Sequence, residues 1–90
     1  MALRDVAAFQ AWIERESPSQ RAWSAARSFI AEIGDEPWKA PSIPVAELSN
    51  QPEYEVREAA LEVPGEANVR VYYSHAYASG NVDLIAVTNL

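Results

Sequence analysis

Three strand-like runs close this chain, at 53–63, 69–77 and 82–88, and two runs with helical patterning precede them. The order helix, helix, strand, strand, strand constrains the fold more than any other feature of the sequence. Strands joined by short, turn-rich links pair antiparallel, and a helical pair ahead of them has one sheet face to cover. The expectation is an α+β domain, ααβββ: an N-terminal antiparallel helical hairpin packed on a C-terminal three-stranded antiparallel meander.

The hairpin is read at about 4–33. Val6, Phe9 and Ile13 recur at helical spacing with Trp12 beside them, which makes one apolar stripe. Ser17 is placed to cap the next helix, with Pro18 at its first position and Gln20 completing a capping box. Trp23, Ala26, Ile30 and Ile33 form the second stripe, and Gly34 is placed to end it in a left-handed conformation. The link around Ser17 leaves room only for an antiparallel turn.

Pro37, Pro41, Pro44 and Pro52 mark residues 35–52 as an extended connector, with a short helical turn at 45–48 and Trp38 pinning it to the core. In the first strand Tyr54 and Val56 share one parity, Leu61 and Val63 the other, so a bulge near Glu58–Ala60 is expected. Pro64-Gly65-Glu66-Ala67-Asn68 reads as one hairpin loop and Ala78-Ser79-Gly80-Asn81 as the next.

Ninety residues with 49% hydrophobic content make one domain, 1–90. The chain has no cysteine and one histidine, so a disulfide framework is excluded and neither a metal nor a cofactor is expected. No apolar run has the roughly 20 residues that span a bilayer, and the N-terminus lacks a signal-peptide core, so the expected location is the cytoplasm. Thirteen acidic against seven scattered basic side chains give a net charge of −6, which disfavours binding of free nucleic acid.

If Val63 pairs with Val69 and Tyr77 with Val82, Arg57 lies opposite His75, Glu55 opposite Tyr77, and His75 opposite Leu84. Glu55, Arg57, His75 and Tyr77 then share one sheet face. On a face left open by the helices such residues are ordinary solvated cross-strand pairs. The same set is also able to position a phosphate and move a proton. Tyr54, Tyr72, Tyr73 and Tyr77 admit a similar choice between a base-stacking platform and strand packing. Trp12, Trp23 and Trp38 read as core or as a partner-binding surface.

Tyr54-Glu55-Val56-Arg57 resembles the strand ending in Leu-Arg or Val-Arg of the RelE/ParE toxin superfamily. Val69-Arg70-Val71-Tyr72-Tyr73 resembles the Tyr-Arg-Val-x-Tyr strand that follows it, and 82–87 the strand after that. The resemblance implies a plasmid-stabilisation type of bacterial toxin, neutralised by a cognate antitoxin, whose relatives cleave messenger RNA on the ribosome or poison gyrase. By position it offers Arg57 and Arg70 as catalytic arginines, with His75 and Tyr77 further along the strand. Members usually open with a strand, for which Met1 to Val6 leave little room, and continue past the last strand, where this chain reads Asn89-Leu90. The expected function is therefore a toxin-like component acting mainly through protein binding, with a degenerate catalytic site. A ribosome-dependent endoribonuclease and a non-toxin acidic interaction module are the alternatives.

Overall fold

The computed structural model describes residues 3–5, 7–38, 42–45 and 53–89. In chain order the elements are β1 (Leu3–Asp5), α1 (Ala7–Glu16), α2 (Gln20–Asp35), β2 (Ser42–Pro44), β3 (Tyr54–Leu61), β4 (Val69–Ala76) and β5 (Val82–Asn89). The architecture is α+β. Strands β2 to β5 form an antiparallel sheet, and β1 extends it by pairing parallel to β5, in the order β1-β5-β4-β3-β2.

The meander is present as β3, β4 and β5, but it is the centre of a five-stranded sheet, so the expectation of three strands is corrected. Arg4, expected to start the first helix where little room is left for a strand, instead lies in β1: Leu3–Asp5 pairs with Val82 and Asp83, and α1 starts at Ala7. Ser42–Pro44, inside the expected connector, pairs with Arg57 to Ala59. Neither segment is long enough to show a period of two, and Pro44 is tolerated because β2 is an edge strand. The helical turn expected at 45–48 lies mostly outside the described residues.

The helix boundaries also shift. Ser17 still belongs to the end of α1, where its N–H donates to the Ile13 carbonyl at 2.9 Å, and it sits at φ +45°. The cap of α2 is Ser19, whose Oγ accepts from the Ala22 N–H at 3.1 Å. Gly34 does not end α2 but lies buried within it, and the last turn closes where the Glu36 N–H donates to Glu32. Left-handed glycine is used at Gly65 and Gly80 instead, in the two hairpin loops.

One face of the sheet is covered by the helices. Ala22, Ala26, Phe29, Ile30 and Ile33 of α2, with Trp12 of α1, form the helical half of the core. Ala59, Val69, Val71, Tyr73, Leu84 and Val87 are prominent in the sheet half. Trp12 Nε1 donates to Asn89 Oδ1 at 2.8 Å and Arg15 Nη2 to the Val87 carbonyl at 2.6 Å, tying α1 to β5.

The bulge lies in a different strand from the one expected. β3 and β4 pair without interruption from Tyr54↔Ala76 to Leu61↔Val69. The irregularity is in β5, where Tyr73 faces Leu84 but Tyr72 faces Ala86, leaving Ile85 unpaired. That extra residue reverses parity, so Val82 and Leu84 before it and Val87 after it all reach the core. Regular β3 instead places Val56 on the opposite face from Ala59, and both are buried.

Candidate functional site

Each hairpin loop takes two more residues than counting suggests. Leu61, not Val63, faces Val69, and His75, not Tyr77, faces Val82. Arg57 is therefore opposite Tyr73, Glu55 opposite His75, and Tyr73 opposite Leu84. A shift of two keeps every side chain on its expected face. The face itself is the correction: parity with Ala59 and Val71 puts Glu55, Arg57, Tyr73 and His75 on the helix-bearing side, not on an open solvated one.

These residues occupy the flank of that face covered by the segment leaving α2. Arg57 Nη1 donates to Glu55 Oε1 at 2.7 Å, its same-face neighbour two residues away. Its Nε donates to Ser42 Oγ at 2.9 Å and its Nη2 to the Ser42 carbonyl at 3.0 Å. Only 12% of the Arg57 side chain and 17% of that of Glu55 is exposed. Burial alone lowers the pKa of Arg57, but Glu55 and the Tyr73 hydroxyl outweigh it, so the net shift is upward. The guanidinium is thus a charged brace that holds edge strand β2 against β3.

Tyr73, buried at the centre of this flank, donates its hydroxyl to the Pro37 carbonyl. This bond and the burial of Pro37 pin the chain as it leaves α2. Trp38, expected to do so, is 61% exposed. Beyond Tyr73, the His75 ring lies 5.8 Å from that of Trp38 and 6.0 Å from that of Tyr77, centroid to centroid. His75 is only 8% exposed, and its buried Nδ1 has no hydrogen-bond partner among the described residues. Tyr77, in the turn after β4, is 57% exposed and its N–H donates to the Glu53 carbonyl at 3.0 Å. Its hydroxyl is held above the ordinary tyrosine range, by partial desolvation first and then by the Glu55 carboxylate.

Arg70 is not part of this group. It pairs with Ala60 and Thr88, on the face that carries Tyr72, Glu58 and Ile85. Its Nη1 donates to the Tyr72 hydroxyl at 3.3 Å. Its Nε lies 3.2 Å from Glu58 Oε1, a charge contact in which the N–H is not aimed for a hydrogen bond. The Tyr72 hydroxyl, against a smaller opposing effect of burial, raises its pKa, with Glu58 adding to the rise.

Of the four candidate residues, the sheet thus gathers Arg57, His75 and Tyr77 on one flank and sets Arg70 on the other face. Two arginines so placed cannot bind the same phosphate. Nor does any hydrogen bond among the described residues orient His75 at Nδ1, the kind of bond that fixes the tautomer of a catalytic histidine. Sequence reading missed Ser42 and Pro37, which the structure adds to the flank. Both lie in a stretch whose only signal is its proline content. The tyrosines divide: Tyr73 is core, Tyr54 and Tyr72 are half-buried on the outer face, and Tyr77 rims the flank. A shallow pocket of about 170 Å³ elsewhere, lined by Trp12, Glu16, Ser19, Glu66 and Asn89 among others, includes none of the four candidates. Among the described residues no group of three or more His, Asp or Glu is placed to hold a metal ion, and no helix is long and apolar enough to cross a membrane. Searches of protein-family models, curated proteins and solved structures find no match to this chain.

Proposed function

We propose that this chain is a toxin-like protein of the RelE/ParE type that acts by binding a partner protein, its catalytic site degenerate. One observation carries the reading: the donors of Arg57 are committed to Glu55 and Ser42, while Arg70 is engaged on the opposite face. A phosphate entering beside Arg57 has to displace Glu55 from a short, largely buried ion pair, and gains no help from Arg70. The strand β1 ahead of the helices, a usual feature of that superfamily, supports the likeness. Antitoxin is the expected partner, and the ribosome and gyrase are the expected targets of any residual activity.

The test is induced expression in a bacterial host, with and without the product of the adjacent reading frame. The expected result is unchanged growth and a stoichiometric complex of the two proteins. Growth arrest relieved by a folded Arg57→Ala variant overturns the reading in favour of the endoribonuclease. The juxtaposition of Arg57, His75 and Tyr77 on one flank is the observation that keeps that alternative open. Unchanged growth without a complex favours the acidic interaction module.

A further inference from the structure

Both helices pack on one face of the sheet, so among the described residues no helix covers the other. Two of the exposed large apolar side chains, Ile43 and Ile85, stand on that outer face. They occupy opposite ends of one row. Ile43 pairs with Glu58, Glu58 with Tyr72, and Tyr72 with Ala86, beside which the bulge adds Ile85. Residues directly opposite across antiparallel strands share a face, so the row runs straight over β2, β3, β4 and β5. Exposed apolar residues gathered on one face mark an interaction surface.

The layout of the row says what meets it. The seam between β3 and β4 is the midline of the four antiparallel strands. Rotation by half a turn about an axis along that seam lays β2 over β5 and β3 over β4. Ile43 of one copy then comes over Ile85 of the second, and Glu58 over the neighbours Arg70 and Tyr72. Within one copy Arg70 already reaches these groups. Its Nη1 donates to the Tyr72 hydroxyl, and its Nε stands 3.2 Å from Glu58 Oε1 without an aligned hydrogen bond. A carboxylate from the second copy gives the guanidinium a further acceptor. From β3 to β5 the outer face carries one cation, Arg70, and two carboxylates, Glu58 and Asp83, with Asp83 one row away opposite Ser74. On a chain of net charge −6 this is a face where two copies meet with unlike charges opposed.

We infer that this outer face is an isologous interface, at which two copies of the chain stack sheet on sheet about a two-fold axis along the β3–β4 seam. The contact sets Ile43 against Ile85 at both edges and Glu58 against Arg70 at the centre. A foreign partner gives no reason for apolar ends and unlike charges to be matched about one axis, whereas a second copy does. Val56 is buried at one end of the face, so the open area is under about 500 Å² per copy. A standard interface takes roughly 800 Å² per partner, so the dimer is weak, with a Kd on the order of 100 μM. The inference goes beyond the partner-binding reading and does not depend on it.

The experiment is sedimentation velocity of the purified chain from about 10 μM to about 1 mM. The weight-average mass should rise from one chain towards two and go no further. Ile43→Asp and Ile85→Asp, both at exposed positions, should each weaken the dimer at least about tenfold, because every substitution enters it twice. Glu58→Arg and Arg70→Glu chains should each remain monomers, since like charges then oppose, and an equal mixture of the two should dimerise again. Trp38→Ala, beside His75, should dimerise as the wild type does. Circular dichroism confirms that each variant is folded. A monomer at every concentration, growth past two chains, a dimer indifferent to both isoleucine substitutions, or a mixture that stays monomeric overturns the inference. If the chain stays monomeric and the adjacent-frame product binds it but not the Ile43→Asp chain, the face belongs to that product instead.

Discussion

The helix-bearing face of the sheet has two flanks built on different principles. One, around Val69, Val71, Val87 and Trp12, is held mainly by apolar contact with α1 and α2, with polar ties at its edge from Trp12 to Asn89 and Arg15 to Val87. The other, around Arg57, Tyr73 and His75, is roofed by the segment leaving α2 and held by directed bonds to Pro37 and Ser42. Apolar packing is tolerant of direction, whereas each polar contact on the second flank demands one partner in one place. The first flank is therefore a scaffold, and the second is where a mutation can change binding as well as stability.

The sharpest break of this contrast is Trp12→Ala. It removes the largest buried side chain of the apolar flank and its bond to Asn89, and urea unfolding should show a loss of about 3–5 kcal/mol. Next comes Arg57→Ala, which strands Glu55 in a largely buried site and releases β2. A loss of about 2–3 kcal/mol is expected, with faster amide exchange at Ser42–Pro44. Tyr73→Phe keeps the ring and deletes the hydroxyl that donates to Pro37 and supports Arg57, so about 1–2 kcal/mol should be lost. Arg70→Ala, on the outer face, should leave the unfolding midpoint nearly unchanged, because its contact with Glu58 is a half-exposed pair. If Arg70→Ala destabilises as much as Arg57→Ala, the distinction between the two arginines fails.

The smallest expected effect is a titration. Tyr77 is held above the ordinary tyrosine range when folded, so the native state keeps the phenol proton longer than the unfolded chain. Its contribution to stability is present below the unfolded tyrosine pKa and is lost as pH rises through the folded one. In a tyrosinate absorbance titration, Tyr77→Phe should remove a component that titrates above the ordinary tyrosine range, and Glu55→Gln should lower that component.

The two flanks were not equally legible in the sequence. The apolar stripe Trp23, Ala26, Ile30 and Ile33 names its helix, and alternation from Val69 to Tyr73 names the central strand, because burial imposes a period on residue type. Shared parity placed Arg57, His75 and Tyr77 on one face, and a two-residue error in register left that unchanged. What sheet pairing cannot carry is the side the helices cover, and it was assigned wrongly. The edge strands were missed because three residues show no period. The cap moved from Ser17 to Ser19 because Ser17 is still bonded to α1. Pro37 and Ser42 act through a backbone carbonyl and a hydroxyl whose value depends on long-range contact, which leaves no local trace.

The difference between the arginines is tested most directly by the side-chain Nε–H resonance of Arg57 in a nitrogen-15 proton NMR spectrum, recorded while inorganic phosphate is added. A guanidinium braced by Ser42 and Glu55 should give a resolved Nε–H signal that exchanges slowly with water and keeps its position throughout the titration. A signal that exchanges rapidly and moves saturably with phosphate would mean that Arg57 is available to substrate, and the account of this flank as a brace for a binding surface would be wrong.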